Sequence, residues 1–144
     1  MDKVRIVYWS GTGNTEAMAA YIAEGVKDAG KEADLLPVSI ASVEDLKSAK
    51  AFALGCPSMG AEQLEEVEME PFMCELETSI AGKQIVLFGS YGWGNQEWMR
   101  DWEERINQAG ATVIGGEGIA INGAPGDDAI EQCKDAGRML AGCI

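Results

Sequence analysis

Val4-Arg5-Ile6-Val7-Tyr8-Trp9 runs directly into Ser10-Gly11-Thr12-Gly13-Asn14-Thr15, and this junction decides the fold. The first six residues are mostly apolar and β-prone, as expected of a strand buried on both faces of a sheet. The next six are glycine, hydroxyl and amide residues, the composition of a turn. From Thr15 to Ala29 the period changes. Met18, Ile22 and Val26 recur every four residues on one helical face, and Gly30 stands where a C-terminal cap belongs.

The same alternation continues to the end of the chain. Ala33 to Val38 reads as a second strand, and Val43 to Ala49 as a short helix capped by Ser42. Ala51 to Cys56 is a third strand, short and fully apolar, followed by a long segment from Pro57 to about Pro71. Phe72, Met73, Leu76 and Ile80 mark a helix, and Gln84 to Ser90 a fourth strand. Gln96 to Ala109 is a helix with Trp98, Trp102 and Ile106 along one side, closed by Gly110. Thr112 to Ile114 begins a fifth strand that resumes at Gly118 to Ile121, and Asp127 to Ala141 is the last helix. Strands alternating with helices predict an α/β, doubly wound three-layer sandwich on a five-stranded parallel sheet, with right-handed crossovers. The 144 residues form one domain from 1 to 144, with no repeat, linker or low-complexity tract.

Composition narrows the function. Eleven Lys and Arg face 24 Asp and Glu, a net charge of −13. Nucleic-acid binding needs a basic face, and an anionic membrane repels an acidic one. The expected partners are basic patches on other proteins, reached by electrostatic steering. No segment is long and apolar enough to cross a bilayer, and Met1-Asp2-Lys3 does not begin a signal peptide. Cys56, Cys74, Cys133 and Cys143 are scattered, without the spacing of an iron–sulfur or zinc site, and reduced thiols point to the cytoplasm. The absence of histidine removes the usual general base and the commonest metal ligand.

In a doubly wound sheet, ligands bind beyond the carboxyl ends of the strands, where strand order reverses. The loops after strands one, three and four therefore carry the information. Ser10 to Thr15 offers hydroxyls, an amide and the free N–H groups of a helix N-terminus, a phosphate cradle made without a cation. A P-loop needs Gly-Lys-Ser/Thr, and no lysine lies between Lys3 and Lys27. In Gly55-Cys56-Pro57-Ser58-Met59-Gly60-Ala61-Glu62, Met59 is a soft, polarizable surface suited to a flat ring, or a plug for a gap in the core. In Ser90-Tyr91-Gly92-Trp93-Gly94-Asn95, an indole between two glycines reads as a stacking plate. Trp9, Trp98 and Trp102 read as structural, with Trp9 bordering the phosphate loop. Cys56 lacks a His or Lys neighbour to activate it and reads as inert.

Tyr8-Trp9-Ser10-Gly11-Thr12-Gly13-Asn14-Thr15-Glu16 resembles the phosphate-binding loop of short-chain flavodoxins, the type found in anaerobic bacteria, and Phe88 to Trp93 resembles their flavin-stacking loop. The resemblance covers essentially the whole chain. It implies strand order 2-1-3-4-5, one non-covalently bound FMN and a monomeric electron carrier that is not an enzyme. It implies that Ser10, Thr12, Asn14, Thr15 and the N–H groups of Gly11 and Gly13 hold the phosphate. Pro57, Ser58, Met59, Gly60, Ala61 and Glu62 would pass along the ring, Met59 on one face. The peptide after Gly60 would flip so that its carbonyl accepts the N5–H of the semiquinone, and Glu62 would bond the N3–H. Ala61 departs from the polar residue often found there. Ser90, Tyr91, Gly92, Trp93 and Gly94 form the outer wall, Trp93 stacking on the other face. Ile121-Asn122-Gly123 would touch the flavin edge, with Gly126 as an insertion nearby.

Glu62, Glu65, Glu66, Glu68 and Glu70 crowd the segment between Lys50 and Lys83, which holds no basic residue. One charge about 10 Å away at an effective dielectric of about 20 opposes a further negative charge by roughly 1.7 kcal/mol, about 70 mV for one electron. The expected role is shuttling between semiquinone and hydroquinone at low potential, in place of ferredoxin. These glutamates also read as a solvated face at a helix start. Three rivals share the fold class or the ligand. A flavin-dependent quinone or nitro reductase must admit a hydride donor that Met59 and Trp93 would exclude. A signalling receiver domain needs aspartates where Ser10 and Cys56-Pro57 stand. A redox-inactive binding module would stay colourless with FMN.

Overall fold

In a computed structural model of the chain, residues 3–11, 13–60 and 62–144 are described. The strands are β1 (Lys3–Tyr8), β2 (Glu32–Pro37), β3 (Ala51–Gly55), β4 (Gln84–Tyr91), β5 (Thr112–Val113) and β6 (Ile119–Asn122). The helices are α1 (Asn14–Asp28), α2 (Val43–Lys47), α3 (Met69–Leu76), α4 (Glu97–Gln108) and α5 (Asp127–Gly142). Every strand pair is parallel, in the order β2-β1-β3-β4-β5, with β6 also on β4.

Period-two alternation sorts each strand between two cores. Val4, Ile6, Ala51, Ala53, Val86 and Phe88 face α1 and α5. Val7, Phe52, Leu54, Ile85 and Leu87 face α3 and α4. Fully burying a large apolar side chain stabilises by about 1.5–3 kcal/mol. The α4 stripe of Trp98, Met99, Trp102 and Ile106 thus holds that helix through packing more than through propensity. On the opposite face, α1 and α5 touch through glycines. A Cβ on Gly137 would lie 2.0 Å from the Ile22 carbonyl oxygen, and one on Gly25 would lie 2.0 Å from that of Lys134. This close approach fixes α1, whose N-terminus opens onto the first loop.

Most boundaries fall within one or two residues of those the sequence pattern suggests, and the larger differences have physical reasons. The second strand ends at Pro37, because Val38–Ile40 turns as a 3-10 helix. Helix α3 starts at Met69 rather than after Pro71. A proline in the first turn loses no hydrogen bond, since the N–H groups there have no intrahelical partner. Ile80 is buried but lies beyond α3, after a 3-10 turn at Glu77–Ser79. The fifth strand position is split. Gly115 (φ 82°) and Gly116 (φ 83°) turn the chain out of the sheet between β5 and β6. The buried Glu103 carboxylate then accepts the Gly118 N–H at 2.6 Å and seats β6. Ser42 occupies the N-cap position of α2 without a side-chain capping bond.

Candidate functional site

The loops after β1, β3, β4 and β6 meet at the carboxyl edge of the sheet around a cavity of about 300 Å³. Trp9, Gly11 and Asn14 come from the first loop and Pro57, Ser58 and Met59 from the second. Ser90, Tyr91 and Gly92 come from the end of β4 and the loop beyond it, and Gly123 from the last. Among the described residues no charged side chain lines it. An apolar cleft with a few convergent polar groups at a topological switch point is where this architecture holds a ligand.

Gly13, at φ 98°, turns the first loop into α1. The Ser10 Oγ accepts the Gly13 N–H at 3.2 Å and the Glu16 N–H at 3.3 Å, which draws the loop into a ring. The N–H groups of Asn14 and Thr15 find no acceptor among the described residues. They carry the positive end of the α1 dipole toward the cavity mouth. Thr15 is placed differently from the other hydroxyls of the loop. It is 1% exposed, its Oγ1 lies 3.1 Å from the Ser90 Oγ, and it accepts the Ser90 N–H at 3.3 Å. It ties the first loop to β4. Thr12 and Ala61 lie outside the described residues.

The second loop is closed on itself. Met59 and Gln63 exchange two backbone hydrogen bonds of 2.9 Å, leaving Gly60 (φ 51°) and Glu62 (φ 55°) at the tip. Ser58 N–H reaches the Ser90 carbonyl at 3.0 Å, which aligns the loop with β4. Glu62 reaches across to the third loop, where its Oε1 accepts Asn95 N–H at 3.1 Å and Glu97 N–H at 3.2 Å, the start of α4. Its Oε2 has no partner among the described residues. In the third loop Trp93 is 64% exposed, so it is no core residue, and Tyr91 packs its ring 5.6 Å from that of Trp98. Gly123 N–H bonds the Tyr91 carbonyl at 3.0 Å, bringing Gly123 to the cavity edge, while Ile121 and Asn122 do not line it.

One feature was read only in part from the sequence, as a structural residue bordering the first loop, and one was missed. Trp9, read as structural, forms cavity wall and donates from Nε1 to Glu68 at 3.2 Å. Glu65 is not on a solvated face. It is 7% exposed, and its carboxylate accepts N–H groups from Val67, Glu68 and Met69 at 2.9, 2.7 and 3.0 Å. Burial alone raises a carboxyl pKa, but these three bonds outweigh it and hold Glu65 below its ordinary value. A helical periodicity starting at Met69, four residues on, was the available signal. Cys56 is buried and its thiol is pushed up to about 12, mainly by burial, in keeping with an inert role.

The donor set suits a phosphorylated flat ring. Free backbone N–H groups and hydroxyls would meet a phosphate, while Met59, Trp9 and Tyr91 offer apolar and aromatic surface. Together the fold and this cation-free cradle define a doubly wound mononucleotide-binding protein. The flavodoxin family model matches residues 6–137. Flavodoxins of Clostridium beijerinckii and Megasphaera elsdenii are each 46% identical over 96% of this chain, covering 99% and 98% of their own lengths. The solution structure of two-electron reduced Megasphaera elsdenii flavodoxin superposes with a TM-score of 0.87 at 47% identity, covering 96% of this chain and 98% of that one. A flavodoxin from the domain Archaea gives 0.86 at 32% identity, covering 97% and 96%. The chain belongs to the flavodoxin family, in its short-chain form. It is an FMN-binding electron-transfer protein rather than an enzyme, and it exchanges electrons with redox partner proteins.

Proposed function

We propose that the chain is a low-potential one-electron carrier that works on the lower of the two one-electron couples of FMN and stands in for ferredoxin. FMN supplies the redox chemistry; the chain supplies stacking, hydrogen bonds and field. The observation that carries this reading is a cavity without a charged lining residue in a chain of net charge −13. Among the described residues no cationic side chain lines the cavity to offset a phosphate there, so each further negative charge on the ring would be added against the surrounding field.

In this reading Ser10, Gly11, Thr12, Gly13 and Asn14 hold the phosphate, and Thr15 secures their loop on Ser90. Met59 covers the inner face of the ring and Trp93, with Tyr91, Gly92 and Gly94, the outer. The Gly60–Ala61 peptide serves N5, which the left-handed φ of 51° at Gly60 supports. Glu62 Oε2 is the oxygen left for N3–H. Residues 1–144 act as one FMN domain, a cytoplasmic monomer whose partners present basic patches. Among the described residues no helix is long and apolar enough to cross a membrane.

Anaerobic potentiometry with ferredoxin-dependent enzymes present tests the reading. Expected are a lower couple well below that of free FMN and electron delivery to such an enzyme. A lower couple at or above the free-FMN value would overturn it. Steady NADPH oxidation by the isolated protein would favour a reductase instead.

A further inference from the structure

The cofactor-side loop from Pro57 to Leu64 leaves the sheet at Cys56 and returns at Glu65, and these two residues are joined. The Glu65 N–H points to the Cys56 Sγ at 3.4 Å. Cys56 is itself fixed to the sheet and to α4. Its N–H bonds the Phe88 carbonyl at 3.0 Å, and its own carbonyl accepts the Trp98 Nε1–H at 3.0 Å. Glu65 is held from the other side by its carboxylate on three N–H groups and by its carbonyl, which accepts Glu70 N–H at 2.9 Å. Every polar group of Glu65 is therefore engaged inside the protein.

We propose that Glu65 is a positioning residue for the cofactor: anchored on Cys56 and on the start of α3, it closes the base of the loop that presents Met59, Gly60 and Glu62 to FMN. The geometry separates this role from plain helix capping. A cap needs only the carboxylate and the helix N–H groups. Here the backbone of the same residue is clamped to the strand from which the loop departs. Among the described residues, the Met59–Gln63 turn above it is closed by two backbone hydrogen bonds. Glu62 also holds the tip to the start of α4, and Ser58 holds the outgoing side of the loop to β4, so the base at Glu65 is the third anchor that sets the loop's position. The proposal rests on the FMN reading above, and its test has an arm that needs no cofactor.

Four variants decide it: E65Q, E66Q, C56A and C56S. E65Q removes the charge that three N–H groups share. E66Q removes the same charge one residue along, on an exposed side chain whose amide still offers Gln63 an oxygen. C56A removes the sulfur acceptor and no charge, and C56S keeps an acceptor. Amide hydrogen exchange at Met59 and Gln63 is followed in the FMN-free protein, and FMN dissociation constants and both one-electron potentials in the loaded protein. E65Q and C56A should each speed exchange at both amides and weaken FMN binding about tenfold, about 1.4 kcal/mol. They should also narrow the separation of the two potentials. C56S should follow the wild type, and E66Q should leave exchange unchanged. Exchange and affinity in E65Q equal to those in E66Q overturn the proposal. If E65Q does not fold, C56A decides alone: wild-type values overturn it, shifted values support it. A wild type that fails to bind FMN defeats the function proposed above, while the exchange arm still tests the loop anchor.

Discussion

Replacing Thr15 by valine keeps shape and deletes one oxygen. That oxygen sits between two groups of Ser90: it accepts the Ser90 N–H at 3.3 Å and lies 3.1 Å from the Ser90 hydroxyl. Thr15 is 1% and Ser90 4% exposed, so water does not replace it. An unsatisfied buried backbone N–H costs about 1–3 kcal/mol, and the lost hydroxyl contact about 1 more. T15V should therefore lower stability by about 2–4 kcal/mol, and Tm by roughly 3 °C per kcal/mol for a chain of this length. S90A should cost about 1 kcal/mol, because the Ser90 N–H keeps its acceptor. The double variant should cost hardly more than T15V, a coupling of about 1 kcal/mol. Urea unfolding of the FMN-free protein measures all three without ligand stabilisation. Additive single effects, or a T15V loss under about 0.5 kcal/mol, would refute the coupling of the first loop to the sheet.

G137A should destabilise by about 1–3 kcal/mol or more, since the new Cβ meets the Ile22 carbonyl oxygen at 2.0 Å; calorimetry checks this, and an unchanged Tm contradicts it. The Glu65 and Glu70 carboxyls are both held low, Glu65 by its backbone bonds against burial and Glu70 chiefly by the Arg105 guanidinium. Their stabilisation is complete above the unfolded carboxyl value near pH ~4.3 and is lost as pH falls through the lower folded values. E65Q should thus flatten the acid side of the urea-midpoint profile, and an unaltered profile would contradict this. W93A should weaken FMN binding about tenfold while leaving the FMN-free Tm in place, because this indole is 64% exposed. Fluorescence titration reads the affinity. E66Q should raise the lower potential by tens of millivolts at low salt and less at high salt, read by potentiometry.

The sheet was legible because the buried strands carry their burial in composition. β3 is wholly apolar and β1 and β4 are mostly so, and their neighbours have helical periods. The split between β5 and β6 was legible only as a resumption, since Gly115 and Gly116 signal a turn but not where pairing restarts. The loops were found because a glycine- and hydroxyl-rich junction after a strand has few other uses. What escaped was contact between loops. Nothing local says that Glu62 reaches the N-terminus of α4, or that Thr15 turns inward onto Ser90, because these pairs are separated by 33 to 75 residues. Glu65 escaped for the opposite reason: among acidic neighbours it looked solvated, and only its backbone donors show otherwise.

One anaerobic titration bears most directly on the central claim that this cleft holds FMN and passes electrons singly. The protein, loaded with one FMN per chain, is reduced stepwise while its visible spectrum is followed. The account predicts two resolved one-electron steps, with a blue colour that grows and then bleaches. Direct bleaching in a single two-electron step, or FMN that stays free in solution, would contradict it.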